Sequence, residues 1–70
     1  MTAPGDPRVI GKLVCDKIAA NLVEFGYAGI TGQHIAELLA KPEHERGVVG
    51  MMAAEMLADN GITDWEVDYS

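Results

Sequence analysis

The chain has 70 residues, one of them cysteine, and its five Lys plus Arg against eleven Asp plus Glu give a net charge of −6. That length makes one domain, because chains divide into separate cores only at several times this size. A surface of this sign repels phosphate backbones and weakens non-specific nucleic-acid binding, which is driven mainly by cationic side chains displacing counterions.

With Cys15 as the single thiol, an internal disulfide is excluded and a reducing, cytoplasmic compartment fits best. Cys15 itself reads as a small hydrophobe in or beside the core. No cationic segment followed by an apolar run opens the chain, and no stretch approaches the ~18 apolar residues of a membrane span, so no membrane attachment is expected. His34, His44 and Cys15 show neither CxxC nor HxxxH spacing, so no metal or other cofactor is expected. A core of this size rarely supplies more than ~3 to 5 kcal/mol of net stability, which leaves self-association or a protein partner as the expected supplement.

In chain order, residues 1–6 read as a flexible arm. Asp6-Pro7 is a helix start, with Asp accepting from first-turn amides and Pro at the first helical position. The first helix is predicted over 7–25, with Ile10, Leu13, Val14, Ile18, Leu22 and Phe25 forming its apolar stripe. Gly26 should stop it in the left-handed conformation, folding Tyr27 back toward Leu22. Thr31 caps a short second helix over 31–41, with Ile30 and Ile35 as a hydrophobic staple and Pro42 ending it.

A third helix is predicted over 43–60, with Val49, Met52, Ala53, Met56 and Leu57 inward and Gly61-Ile62 repeating the stop signal. Gly47 and Gly50 have two readings, a fraying first turn or a close helix approach. Over 64–69, Trp65, Val67 and Tyr69 alternate with Asp64, Glu66 and Asp68, a strand pattern. Its partner would be the short extended stretch Tyr27 to Ile30, or an edge on another molecule.

The expected fold is thus mainly α: a compact three-helix domain with a short C-terminal β-strand-like tail. The segments IAANLVEFGYAGITGQHIAELLAKP, VVGMMAAEMLADNGI and WEVDYS together resemble the winged helix-turn-helix arrangement, from about Val14 to Tyr69. The resemblance implies that the third helix enters a DNA major groove while basic side chains hold phosphates. The positions matching its reading end, from Glu43 to Val49, carry one firm cation, Arg46, and the tail fits one acidic strand where the family has a two-stranded wing. The short, Ala- and Gly-rich chain also resembles the small accessory proteins of bacteriophages of high-GC hosts, which implies host takeover or regulation of the phage's own genes.

Function is expected to reside in protein contact, with the chain as a homodimer. Three of the four methionines cluster at Met51, Met52 and Met56; Met52 and Met56 read as core, while Met51 points elsewhere and suits an adaptable binding surface. Trp65 and Tyr69 are the other contact candidates, being aromatic, or else they fold down over the helices. The alternative is a DNA-binding regulator using Arg8, Lys12, Gln33, His34 and Arg46. A second alternative is an acidic mimic of nucleic acid that blocks a basic partner. No Ser, His and Asp set, phosphate-cradling glycine loop or tuned carboxylate pair is present, so an enzyme is not expected.

Overall fold

In the computed structural model, residues 8–69 are described, so the expected arm and the Asp6-Pro7 helix start lie outside the described residues. The elements run β1 (Val9–Gly11), α1 (Lys12–Glu24), α2 (Gly32–Ala40), a 3-10 turn (Glu43–Glu45), α3 (Gly47–Asp59) and β2 (Glu66–Asp68). Three helices and a short C-terminal strand are present, as the sequence implies. The Cα radius of gyration, 11.3 Å, matches the ~11 Å expected of a packed globule of this length.

The first helix begins later than its apolar spacing implies. Val9–Gly11 is a strand paired in parallel with β2, in the register Val9↔Glu66, Ile10↔Val67 and Gly11↔Asp68. The Glu66 amide donates to the Arg8 carbonyl at 2.9 Å. A lone C-terminal strand must satisfy its backbone groups, and the chain start supplies the partner, replacing the expected Tyr27 to Ile30. The β-branched pair Val9-Ile10 favours this extended form. Ile10, fully buried, enters the core from the strand. The resulting sheet joins the two ends of the chain in parallel, with all three helices in the crossover.

Helix ends follow local chemistry closely. At Gly26 (φ +105°) the Tyr27 amide donates to Leu22 and the Gly26 amide to Val23, and at Gly61 (φ +79°) Ile62 donates to Leu57 and Gly61 to Ala58. Both are the paired bonds of a Schellman stop. The Thr31 hydroxyl accepts from the His34 amide at 3.2 Å, capping α2. Lys41, ahead of Pro42, is extended and ends it. The expected third helix is broken in two: Gly47 takes φ +69°, which separates the 3-10 turn from α3.

The core is built from Ile10 of β1, Cys15, Ile18, Ala19 and Leu22 of α1, Ile35, Ala36 and Leu39 of α2, and Ala53 and Leu57 of α3. Val14, Val49, Met52 and Met56 pack half-buried against it, but two expected members are exposed: Leu13 by 84% and Phe25 by 71%. At 100° per residue Leu13 lies on the far side of α1 from the Cys15–Leu22 stripe, and Phe25 is the C-cap, past the last turn that faces α2. Burial, reinforced by the Asp16 carboxylate, pushes the Cys15 thiol above its usual range, as befits a packing residue.

Candidate functional site

The C-terminal end of α2 leaves backbone carbonyls without helical partners, and two side chains from elsewhere in the chain take them. The Trp65 indole Nε1 donates to the Leu39 carbonyl in a long bond of 3.5 Å. Arg46 Nε donates to the Lys41 carbonyl at 3.0 Å. The Arg46 guanidinium also lies over the Trp65 ring, 5.1 Å from its centre, within range of a cation–π attraction. Gly50 makes this possible: a β-carbon there would meet the Arg46 side chain and come within 3.3 Å of the Leu38 β-carbon. Of its two readings, Gly50 therefore serves close approach, between α2 and α3.

Beside that approach lies an open groove of about 780 Å³, lined by the end of α2, one face of α3 and the segment leading to β2. Its floor is the face of α3 that carries Met51, Ala54 and Ala58, and its walls are Leu39, Pro42 and Trp65. Met51 is 59% exposed, and Val48, one turn earlier, is exposed as well. Glu43, Glu55, Asp64, Lys41 and Arg46 supply the groove's charged lining.

Of the residues singled out from the sequence, Met51 and Trp65 thus meet in one groove. Tyr69 does not line it; its hydroxyl donates to Asp16 Oδ1 on α1 at 3.2 Å. Partial burial and that carboxylate hold the Tyr69 hydroxyl above its usual range. The residues named for the DNA alternative are dispersed. Arg8 precedes β1, Lys12 opens α1, Gln33 and His34 occupy the first turn of α2, and Arg46 is committed to Lys41 and Trp65. From Gly47 to Asp59, α3 carries Glu55 and Asp59 and neither lysine nor arginine.

Sequence reasoning missed Pro42, Ala54 and Ala58 as lining residues, and it counted Glu43, Glu55 and Asp64 only among the many carboxylates of an acidic face. The available signal was Met51, Ala54 and Ala58 recurring at spacings of three and four, which places one large and two small side chains on a single helix stripe. Among the described residues no group of three or more His, Cys, Asp or Glu could hold a metal ion, and no helix is long and apolar enough to cross a membrane. Compared with known proteins, the chain matches no family profile, no curated sequence and no solved structure.

Proposed function

We propose that this chain works by binding another polypeptide, with the groove between α2 and α3 as its contact surface and no catalysis of its own. The observation that carries the reading is the meeting of exposed Met51 with half-buried Trp65 in one concave site of mixed apolar and charged lining. A thioether that repacks easily beside a large aromatic ring is the composition of an adaptable binding surface. Met51→Glu tests it, because an exposed side chain can be changed without unfolding the domain. A protein partner recovered from the source cell by the wild-type chain, retained through a high-salt wash and lost with Met51→Glu supports the reading. Identical recoveries by both chains refute it.

Self-association is a second proposal, favoured by exposed apolar side chains outside the groove. Leu13, Val23 and Phe25 are exposed on α1 and its cap, and none of them lines the groove. Sedimentation of the wild type against the Leu13→Ser/Phe25→Ser double variant at tens of micromolar decides it; a monomeric wild type ends it. The DNA-binding alternative is supported by the order of the helices and the capped second helix, and opposed by an α3 devoid of cations. Retention of a specific duplex in low-salt filter binding would restore it. For the acidic-mimic alternative, the distinguishing result is a partner complex that dissolves at high salt and is indifferent to Met51→Glu.

A further inference from the structure

The groove's charge and shape say what kind of polypeptide it takes; this step rests on the interaction reading above. Among the described residues, Glu43, Glu55 and Asp64 have no ion pair or side-chain hydrogen bond, whereas His44 lies 3.9 Å from the Glu45 carboxylate. Of the two cations at the rim, Arg46 is already committed to the Lys41 carbonyl and the Trp65 ring. The lining therefore carries three carboxylates without ion-pair partners against Lys41 and Arg46, whose charge its carbonyl and ring contacts do not cancel, which leaves a net negative charge of one at the opening.

The floor has a helix's own geometry. Met51, Ala54 and Ala58 form one stripe of α3, and the two alanines let a second helix come close while Met51 fills irregular space beside it. At about 780 Å³ the groove admits several side chains and not a whole helix, so an occupant lies across its mouth and inserts one face. A second copy fits poorly. It brings a further net charge of −6, and its α3, without lysine or arginine, would set Glu55 and Asp59 against Glu55.

We propose that the occupant is a cationic amphipathic helix of a different protein, which inserts an apolar stripe between Met51, Ala54 and Trp65 and presents lysines or arginines to Glu43, Glu55 and Asp64. Trp65 is the only tryptophan of the chain, so its emission reads occupancy of the groove directly.

The experiment titrates the full chain with three tryptophan-free synthetic peptides of equal length. One is a Leu/Lys peptide with leucines at i, i+3, i+4 and i+7, one is its scramble, and one carries Glu in place of Lys. The Leu/Lys peptide should shift Trp65 emission saturably, and the other two should bind at least ~10-fold more weakly, the equivalent of burying about one large apolar side chain less or facing like charges. Glu55→Lys and Asp64→Lys should each weaken that peptide about two- to fivefold and flatten its salt dependence.

Equal binding by the Glu peptide overturns the charge assignment while leaving the interaction reading intact. Equal binding by the scramble reduces the effect to bulk charge attraction and overturns the helix. A shift of Trp65 emission with chain concentration alone, coincident with dimer formation in sedimentation, assigns the groove to a second copy instead. No shift with any peptide at millimolar concentration overturns the proposal, whereas the Met51-dependent capture described above still decides the broader reading.

Discussion

α2 forms a seam on each side, and the two seams end differently. Each has a glycine at its crossing: a β-carbon on Gly32 would lie 3.0 Å from the Asp16 Cα of α1, and one on Gly50 would lie 3.3 Å from the Leu38 β-carbon of α2. Away from its crossing, the α1–α2 seam is filled by Ile18, Leu22, Ile35 and Leu39, and it closes completely. The α2–α3 seam continues with Met51, Ala54 and Ala58, and it opens into the groove. Close approach at one point therefore does not seal an interface; the size of the side chains over the next two turns does. The first seam holds the domain together, and the second leaves apolar surface in water that folding does not use.

The largest expected effect tests the closed seam. Leu22→Ala removes a fully buried side chain and should cost ~2 to 5 kcal/mol, against a total of only ~3 to 5 kcal/mol available to so small a core. Urea titration followed by circular dichroism should find the variant largely unfolded in buffer. A loss below about 1 kcal/mol would mean that the seam is plastic and the comparison wrong.

Next come the two glycines, each packed mainly against one residue. Gly32→Ala would press on the Asp16 carboxylate, which also accepts from Tyr69, and on the Asp16 Cα at 3.0 Å, and should destabilise by ~1 to 3 kcal/mol. Gly50→Ala would press on the Arg46 β-carbon, which the backbone fixes, so a gain in helix propensity of about 1 kcal/mol is outweighed and the variant should be destabilised by ~1 to 3 kcal/mol. It should also displace Arg46 from Trp65, visible as a change in Trp65 emission.

A third effect follows from Cys15, inside the closed seam. Its folded-state pKa lies above the ordinary 9.0, so above that pH the unfolded chain releases its proton first and the unfolded state is favoured. Stability should be level below pH 8 and fall as pH rises through 9 toward the raised folded value. Tyr69, raised from 10.0 by partial burial and Asp16, adds a decline of the same sign at higher pH. Cys15→Ala should flatten the earlier part of the fall in urea midpoints measured between pH 7 and 10.

The parts of the fold legible in the sequence are those decided within a few residues. Thr31, Gly26, Gly61 and Pro42 set helix ends by local hydrogen bonds and backbone geometry, so each could be placed without knowing the rest of the chain. β1 could not. Val9 and Ile10 continue the spacing of the helix that follows, and only pairing with Glu66 and Val67, at the other end of the chain, makes them a strand. The same holds for the groove. Met51 and Trp65 stood out as apolar residues without a clear place in the core, but their meeting depends on Trp65 reaching Leu39 at the end of α2. Glu43, Glu55 and Asp64 could be named as acidic contact candidates, but in a chain acidic throughout nothing local set them apart from its other carboxylates.

The smallest effect on stability is the most informative about the open seam. Met51 stands 59% exposed on α3, and Glu at the same position keeps an unbranched chain of good helix propensity. Met51→Glu should therefore change the urea midpoint by an amount within about ±0.5 kcal/mol, the usual range for surface positions. The same change places a fourth carboxylate at the groove beside Glu43, Glu55 and Asp64 and removes the thioether from its floor, so it should abolish apolar docking there. A variant that keeps its stability and loses its partner separates the two seams by function as well as by packing. A variant that loses more than about 1 kcal/mol would show instead that Met51 belongs to the folded core, and that the groove is a shallow flaw in packing with nothing to bind.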